Sequence, residues 1–216
     1  MTQLRLTSCQ ARNTFPLMRQ LSDYLSRELG VQAIYEDDSP WQERSQRLFA
    51  GEIDLGWICS KPYALLLEEE QPPLTGIAVP IPVGDLYRNQ PVYYSHLVVH
   101  RDHPAKSIWD LANGRIAYNE LGSQSGYFSL LWALERIGKT AVFFGEWVES
   151  GAHQHSLQLL QSSQIDAAAI DTTLWDYELF LEPNRFDDLK IIDTLGPFPG
   201  PPLVAHHALD PTLRQP

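Results

Sequence analysis

The sequence predicts an α/β protein built of two similar lobes with a ligand-binding cleft between them. Strand-like and helix-like patterns alternate along almost the whole chain of 216 residues. Residues 48–58 also resemble residues 160–170, because each segment ends a helix, turns and opens a buried strand. The same sequence offset relates 4–8 to 116–120 and 15–29 to 127–141. Three elements in constant register indicate two lobes of similar architecture, and α/β sheets bind ligands where their strands end.

The first lobe is expected to begin with a strand, a loop and a helix. Apolar and polar residues alternate in 4–7, and apolar residues then recur at helical spacing from Met18 to Leu29. Pro16 lies near the expected start of this helix and Gly30 just past its end, as helix termini favour. The expected strands of this lobe are 4–8, 31–35, 53–58 and 76–83, and the expected helices are 15–29, 39–50 and 63–69.

The second lobe is expected to open with a long strand of β-branched and aromatic residues, 92–100. Residues 107–110 have the form of a capping box before a short helix, which Gly114 ends. The further strands expected here are 115–119, 147–149 and 165–170, and the expected helices are 127–137, 153–161 and 173–181. The alternation of strands and helices thus repeats the pattern of the first lobe.

The chain is expected to cross between the lobes twice. The strands 189–194 and 203–206 return to the first lobe, and the proline-rich segment 196–202 has the composition of an extended connector. Residues 210–214 have the pattern of one further helix start. The expected division is residues 1–92 and 188–216 for lobe 1, residues 93–187 for lobe 2, and crossovers near 91–97 and 183–190.

The composition narrows the classes of partner. A chain with 44% hydrophobic residues can bury a core without disulfides or metal ions. It has no run of about eighteen apolar residues, so we expect no membrane insertion. Its 16 basic and 27 acidic side chains give a net charge of -11, which repels nucleic acids and anionic lipid surfaces. An anionic ligand must therefore be held by local donors, such as helix N-termini and hydroxyl groups.

The cysteines and histidines do not form a metal-binding pattern. Cys9 and Cys59 are far apart in sequence and are expected to be two separate thiols, although two strand ends of one lobe would bring them close. His153 and His155 are two residues apart, so on a helix they face different ways and cannot chelate one metal ion. We therefore expect neither a metal ion nor another cofactor.

The loop 119–126 is the first candidate binding site for an anion. It joins a buried strand to an apolar-faced helix, and its small residues allow close approach of the backbone. The amides at the helix start carry partial positive charge, and Ser123 and Ser125 add hydroxyl donors. The alternative is an ordinary cap, in which these serines satisfy the helix amides and no ligand binds.

Two further polar side chains follow expected strands. His153 lies in the loop 149–156 at a second helix start, where it could donate to an anion or titrate near neutral pH. Its alternative role is a structural hydrogen bond. Asp171 could orient a histidine, receive a ligand hydroxyl or ammonium group, or cap the next helix.

Aromatic residues at the expected strand ends could wall the cleft, although such residues are more often part of a core. Trp57 and Cys59 lie at the end of a strand in the first lobe. Tyr93, Tyr94 and Ser95 lie at the expected crossover between the lobes.

Five segments carry a resemblance to a known family: 52–59, 93–95, 122–127, 149–153 and 166–171. Their order and spacing are similar to those of phosphate/phosphonate-type periplasmic binding proteins. The resemblance covers nearly the whole chain and implies a type II periplasmic binding protein-like fold without catalytic activity. Such a protein would pass a small anionic, phosphonate- or phosphate-like ligand to the permease of an ABC transporter. By position, the resemblance gives binding roles to Tyr93, Tyr94, Ser95, Ser123, Gln124, Ser125, His153 and Asp171. Trp57 and Cys59 depart from the pattern, because they would make the wall of the first lobe more apolar than an oxyanion alone needs.

The resemblance also implies a periplasmic or membrane-associated location after export, with a signal peptide removed. The N-terminus as given has no charged region followed by an apolar stretch, so a cytoplasmic relative is the other expectation. Gln124 departs from the hydroxyl-rich loop of phosphonate binders. Enzymes of the same fold, such as menaquinone-pathway dehydratases and thiamine-pyrimidine synthases, are the alternative, with Cys59, His153 or Asp171 as reactive groups. A ligand-sensing domain is a third class.

Overall fold

The computed structural model describes residues 3–210 and residue 213. The chain forms two compact units, Met1–Ile81 with Gly200–Pro216, and Pro82–Pro199. Each unit contains a five-stranded sheet with helices, which confirms the expected mixed α/β architecture. Of the helix start expected at 210–214, residues 211, 212 and 214 lie outside the described residues.

The secondary structure follows the alternation seen in the sequence. The strands are β1 Gln3–Ser8, β2 Gln32–Glu36, β3 Leu55–Trp57, β4 Leu74–Ala78, β5 Val92–His100, β6 Arg115–Tyr118, β7 Glu146–Glu149, β8 Ala167–Asp171, β9 Leu189–Pro199 and β10 Leu203–His206. The α-helices are α1 Phe15–Leu29, α2 Trp41–Phe49, α3 Ser60–Leu66, α4 Ser129–Arg136, α5 His153–Gln161 and α6 Thr172–Leu181. Short 3-10 turns cover Arg12–Thr14, Asp85–Tyr87, Ile108–Leu111 and Ala141–Phe143. A π-helical turn, Gln124–Phe128, precedes α4.

The first unit has the strand order β2-β1-β3-β10-β4. β1 runs parallel to β2 and β3, whereas β10 is antiparallel to β3 and β4. Leu4 and Leu6 of β1 are buried with Met18 of α1 in one core cluster. Gly30 ends α1 in the left-handed conformation with φ of 62°, which glycine adopts without steric cost.

Helix α2 is tied to this sheet by a buried arginine. Arg44, 4% exposed, donates from Nε to Thr7 Oγ1 and from Nη2 to the Ser8 carbonyl, both at 2.9 Å. Its Nη1 donates to the Ser39 carbonyl. The helix expected from residue 39 begins at Trp41, with Pro40 as N-cap and no side chain capping it. The Ser39 main chain serves instead as an acceptor for Arg44.

The second unit has the strand order β7-β6-β8-β5-β9. β6 runs parallel to β7 and β8, whereas β5 is antiparallel to β8 and β9. The core cluster of this unit includes Leu97 of β5, Ile116 of β6, and Leu130 and Leu134 of α4. These side chains are fully buried, so the central strands and α4 are fixed by packing.

The two sheets have the same topology. In each, three parallel strands are followed by a strand that is antiparallel to both of its neighbours. β1, β2 and β3 therefore correspond to β6, β7 and β8, and β10 and β4 correspond to β5 and β9. The bounds of α2 and α5 differ by the sequence offset that was expected to relate the two lobes. The prediction of two lobes of similar architecture is confirmed.

Strands β1 and β6 are equivalent in the two sheets, but their residues correspond with a shift of two from the offset expected from the sequence. The pairs are Leu6 with Tyr35 and Leu55 in one unit, and Ile116 with Trp147 and Ala167 in the other. Tyr35 and Trp147 are related by the sequence offset expected between the lobes, and so are Leu55 and Ala167. Leu6 and Ile116 therefore occupy equivalent positions in the two sheets, although the expected offset relates Leu4 to Ile116. Because side chains alternate along a strand with period two, a shift of two leaves the same positions facing the core.

This shift lengthens the connection after β6. Met18 and Leu130 are buried helix residues that correspond at the expected offset. Leu6 and Ile116, which correspond in the sheets, do not keep that offset. The path from Ile116 to Leu130 is therefore longer by two residues than the path from Leu6 to Met18. The additional residues lie in the connection that contains the serine-rich loop 119–126.

The boundaries between the units differ from the expected ones. β9 pairs with β5 along its whole length, from Leu189 opposite His100 to Pro199 opposite Val92. Residues 189–199 therefore belong to the second unit, and so do residues 82–92. The chain passes between the units at 81/82 and 199/200, not near 91–97 and 183–190. Residues 196–199 of the expected connector 196–202 belong to strand β9, because they pair with β5.

Candidate functional site

The candidate site lies in the second unit, where β6 and β8 end. These neighbouring strands are parallel, so their carboxyl ends lie at the same edge of the sheet. Asp171 is the last residue of β8, and its ladder partner on β5 is Ser95. The loop after β6 brings Ser125 to the same edge, and α5 begins there with His153. We call Ser123, Ser125, His153 and Asp171 the polar edge.

Ser125 is held by a network of buried hydrogen bonds. Its main-chain carbonyl accepts from Ser95 Oγ at 2.6 Å and from Ser129 Oγ one helical turn later. Its own Oγ lies 3.0 Å from Nε2 of His153. All four side chains are buried, so the position of Ser125 is fixed by neighbours rather than by solvent. π-Helical turns of this kind are frequent at functional sites.

Ser123 is the N-cap of the π-helical turn. Its Oγ accepts from the Gly126 amide at 3.0 Å, and its own hydroxyl proton is left for another acceptor. Ser123 therefore acts as an ordinary cap, which was the alternative expected from the sequence. Its hydroxyl group can still donate a hydrogen bond to a ligand. The first amides of the turn have no acceptor within a helix and carry partial positive charge.

Gly126 allows the loop to pack closely on its neighbours. A Cβ atom at this position would lie 1.7 Å from Oδ1 of Asn119 and 3.1 Å from Cε1 of His153. Any larger residue here would force the Asn119 side chain to move. The close approach brings the start of the turn against the histidine ring.

His153 is 5% exposed, and its burial disfavours the charged form of the ring. Burial lowers the pKa of His153 below its ordinary value, while the Asp171 carboxylate and the Ala169 carbonyl oppose this shift. The Nδ1 atom is buried and has no partner at full hydrogen-bonding geometry among the described residues. His155 turns away and places Nδ1 2.7 Å from the Ser150 carbonyl, so the two histidines diverge as the helical spacing predicts.

Asp171 caps α6. Its Oδ1 accepts from the amide of Thr173 at 2.8 Å and from the hydroxyl of Thr173 at 2.7 Å. The same carboxylate acts electrostatically on His153. The cap and the electrostatic role, expected as alternatives, therefore coexist.

Sequence reasoning missed the side chains that support the polar edge. Thr172 Oγ1 accepts from the Tyr94 amide at 3.1 Å and donates to the Tyr94 carbonyl at 3.2 Å, which fixes β5 against the start of α6. Ser129 secures the Ser125 carbonyl. A serine four residues after another in a helical segment is the only sequence signal for the Ser129 contact. Nothing in the sequence indicates the contact of Thr172 across 78 residues.

The two tyrosines expected to wall a cleft have different environments. Tyr93 is 1% exposed and packs edge-on against Phe198 at 6.2 Å, within the core cluster. Its expected role as a ligand contact is corrected to a core role, because alternation along β5 turns this ring inward. Tyr94 is half-buried, with its ring 6.3 Å from that of Tyr87. Ser95 is fully buried and supports Ser125.

The remaining candidate residues divide between the units. Gln124 is half-buried at the first position of the π-helical turn. Trp57 and Cys59 belong to the first unit. The Trp57 Nε1 atom donates to the Pro201 carbonyl at 2.8 Å, and Cys59 is the half-buried N-cap residue of α3.

The charges near the polar edge are negative or neutral. Burial raises the pKa of Glu120, and Glu149 adds to this shift. Burial also raises the pKa of Asp176, although Tyr87 donates to its Oδ2 at 2.5 Å. Within residues 3–210, no group of three or more His, Cys, Asp or Glu side chains is arranged to hold a metal ion. An anion here would therefore depend on hydroxyl, amide and imidazole donors.

The fold is shared with binding proteins of known structure. PhnD1 from Prochlorococcus marinus in complex with methylphosphonate is 20% identical, with a TM-score of 0.79 over 99% of this chain and 79% of that chain. A binding protein component of an ABC phosphonate transporter from Pseudomonas aeruginosa is 17% identical, with a TM-score of 0.76 over 97% and 70% of the two chains. The periplasmic aliphatic sulphonate binding protein SsuA from Escherichia coli is 19% identical, with a TM-score of 0.65 over 95% and 61%.

No curated protein matches this sequence. Across the part of the chain that the structure describes, none of the helices combines the length and the hydropathy required to span a bilayer. The sequence model of one family, described as ABC transporter, phosphonate, periplasmic substrate-binding protein, matches residues 6–216. The chain therefore belongs to the family of periplasmic substrate-binding proteins of phosphonate ABC transporters.

Proposed function

We propose that this protein is a non-catalytic carrier that binds a phosphonate, or a closely similar oxyanion, at the polar edge and delivers it to the permease of an ABC transporter. The family to which the chain belongs supports a periplasmic location. The observation that carries the proposal is the buried contact of Ser125 Oγ with His153 Nε2, 3.0 Å apart beside the first amides of a helical turn. Hydroxyl, imidazole and amide groups converge there on one small volume.

The charge of the protein supports this mode of binding. A net charge of -11 gives no general attraction for an anion. Local donors at a helix N-terminus bind oxyanions without a cationic side chain. Hydrogen bonds to a charged group contribute about 1.5 to 3 kcal/mol each, so three or four of them together give about 4.5 to 12 kcal/mol, a range that includes micromolar affinity.

The geometry favours binding over catalysis. Ser125, His153 and Asp171 are the residue types of a nucleophile, a base and an orienting acid. Asp171, however, accepts from Thr173, and the buried Nδ1 of His153 has no carboxylate partner among the described residues that would orient the ring as a base. The hydrogen bond between the histidine and an orienting carboxylate, which a catalytic triad requires, is missing among the described residues. We therefore propose a binding protein rather than a hydrolase.

Removal of the two loop hydroxyls tests the proposal. The double variant Ser123→Ala/Ser125→Ala should bind methylphosphonate at least about a hundredfold more weakly in titration calorimetry, since two charge-assisted hydrogen bonds are lost. Ser107 caps a different turn of the same unit with a capping box, so Ser107→Ala is the matched control for loss of a cap. Equal affinity in the double variant and the wild type, with the fold intact by circular dichroism, would contradict the assignment. Turnover of the ligand by the wild type would favour an enzyme.

A further inference from the structure

The contact between Ser125 and His153 determines which groups the polar edge presents to an anion. Ser125 Oγ lies 3.0 Å from Nε2, and either atom can be the donor. A neutral imidazole has one N–H group and one lone pair. The direction of the hydrogen bond therefore depends on which ring nitrogen carries the proton.

The surroundings of the ring assign the tautomer. Nε2 faces the Ser125 hydroxyl, and the backbone of Ala169 is the acceptor that acts on the ring, although Nδ1 does not reach a partner at full hydrogen-bonding geometry. A carbonyl favours a proton on Nδ1, so Nε2 is the acceptor and the Ser125 hydroxyl donates to it. In this form Ser125 turns oxygen lone pairs, not its proton, toward an incoming anion. The Ser125 hydroxyl is then not available as a donor to the oxyanion.

We propose that the polar edge takes up its oxyanion together with one proton, which is held on Nε2 of His153, and that this proton makes the site selective for phosphonates over sulfonates. With Nε2 protonated, the ring donates to Ser125 Oγ, and the Ser125 O–H turns to the ligand. This inference rests on the proposed function, because it describes how that same site distinguishes between oxyanions.

A hydrogen phosphonate can supply the proton itself. The proton of its P–OH group passes to Ser125 Oγ, and the proton of Ser125 passes to Nε2. The ligand becomes a dianion and the imidazole becomes an imidazolium, while the total charge of the site is unchanged. The Ser125 O–H that remains then donates to an oxygen of the dianion. No further reactant takes part.

The charges around His153 fit a proton that arrives with the ligand. Burial disfavours the imidazolium before an anion binds, and Asp171 alone does not overcome this effect. No lysine or arginine occurs among the described contacts of the polar edge. A bound dianion adds the negative charge that stabilises the imidazolium. Other titratable groups on the surrounding elements include Tyr118 at the end of β6, Glu120 after it, Glu149 at the end of β7, His155 on α5, and Asp176 and Glu178 on α6.

Phosphonates and sulfonates differ in the proton that this step needs. The second pKa of a phosphate monoester is about 6, and a phosphonate likewise exchanges its second proton close to neutral pH. A sulfonate of the same shape is fully ionised and brings no proton. Its oxygens would be repelled by the oxygen lone pairs of Ser125 unless His153 took a proton from solvent. Burial disfavours that protonation of the ring.

Titration calorimetry of the full chain with methylphosphonate and methanesulfonate tests this inference. Measurements in two buffers of different ionisation enthalpy give the number of protons taken up. We expect uptake of about one proton per methylphosphonate well above the second pKa of the ligand, and the Kd should rise about tenfold for each pH unit in that range. Methanesulfonate should bind at least about tenfold more weakly than methylphosphonate at neutral pH.

A substitution of His153 separates proton uptake from simple anion binding. His153→Gln retains a hydrogen-bonding side chain but cannot titrate, so residual methylphosphonate binding should occur without proton uptake and with a smaller preference over methanesulfonate. His155→Gln, two residues further along α5, is the matched control and should behave as the wild type. A circular dichroism spectrum and melting curve of each variant establish that it folds.

The possible results distinguish the two proposals. Tight binding of methylphosphonate by the wild type without proton uptake, or unchanged uptake in His153→Gln, would overturn the proton-linked selectivity and leave the proposed function standing. If the wild type binds neither methylphosphonate nor inorganic phosphate, the proposed function fails and the selectivity falls with it. If the loop-hydroxyl double variant loses binding while His153→Gln retains proton uptake, the anion site stands and the proton belongs to another group.

Discussion

The hydroxyl group of Ser95 donates to the main-chain carbonyl of Ser125 at 2.6 Å, across 30 residues of sequence. A fully buried strand residue thus fixes the first turn of the helical segment that carries the loop hydroxyls. Ser95 is the ladder partner of Asp171, so one position on β5 aligns two members of the polar edge. The role of Ser95 is therefore to position other residues rather than to contact a ligand.

Replacement of Ser95 by alanine should lower the free energy of unfolding by about 1 kcal/mol, because a buried hydrogen bond is lost while Ser129 still supports the carbonyl. Methylphosphonate affinity should fall as the turn loosens. Thermal unfolding and titration calorimetry measure the two effects. Ser162→Ala removes a local bond to the Gln158 carbonyl at the exposed end of α5 and is the control. Equal losses of affinity in both variants would contradict the positioning role.

Gly126→Ala should destabilise the second unit by about 1 to 3 kcal/mol, because the added methyl group overlaps Asn119 and presses on the His153 ring. Ligand affinity should decrease with it. Gly122 lies in the same loop and has no atom within 4 Å of an added Cβ, so Gly122→Ala is a matched control with little expected effect. Chemical denaturation of the two variants compares them directly. Similar stabilities would show that the loop accommodates a side chain at position 126.

The stability of the second unit should decrease as the pH falls from about 6.5 toward 4. Burial lowers the pKa of His96 from 6.5 to about 4, so the unfolded chain binds a proton in this window and the folded chain does not. The contribution is on the order of 3 kcal/mol. His96→Gln retains a partner for Thr194 Oγ1 and should flatten the dependence of unfolding free energy on pH. His100→Gln, at the end of the same strand, is the control. A parallel pH dependence in the wild type and His96→Gln would exclude His96 as its source.

Arg44→Lys should destabilise the first unit by about 1 to 3 kcal/mol, because an ammonium group cannot replace the planar fork that reaches Thr7, Ser8 and Ser39. The lost contacts leave buried acceptors at the end of β1. Arg27→Lys, on the exposed surface of α1, should change the melting temperature little. Equal melting temperatures of all three proteins would mean that the buried guanidinium contributes nothing to the fold.

Much of the fold was predictable because the local signals agree with the tertiary structure. The strand 92–100 and the helix 153–161 have the expected bounds, since β-branched residues and a polar start with apolar periodicity specify them. The duplicated architecture was also predictable from a constant offset. The register of β1 against β6 was not, because a shift of two residues leaves the apolar alternation unchanged and so has no signature in the sequence.

The polar edge was predictable only as a set of positions after strands. Ser123, Ser125, His153 and Asp171 each follow a strand or end one, and the sheet brings their segments to one edge. The sequence could not distinguish the core role of Tyr93 from a binding role, because either face of β5 satisfies the apolar pattern. The assignment of β9 to the second unit depends on a ladder formed with a strand much earlier in the chain, which local patterns do not specify.

The position of β10 between β3 and β4 has a consequence for how the chain is made. The second unit is a single uninterrupted stretch, Pro82–Pro199, and all of its strands have been synthesised before Gly200 leaves the ribosome. The first unit starts earlier yet is completed only by Leu203–His206, because β10 is the strand with which β4 pairs. A nascent chain that stops just before Leu203 would contain every strand of the second unit. The sheet of the first unit would still lack β10, the strand between β3 and β4.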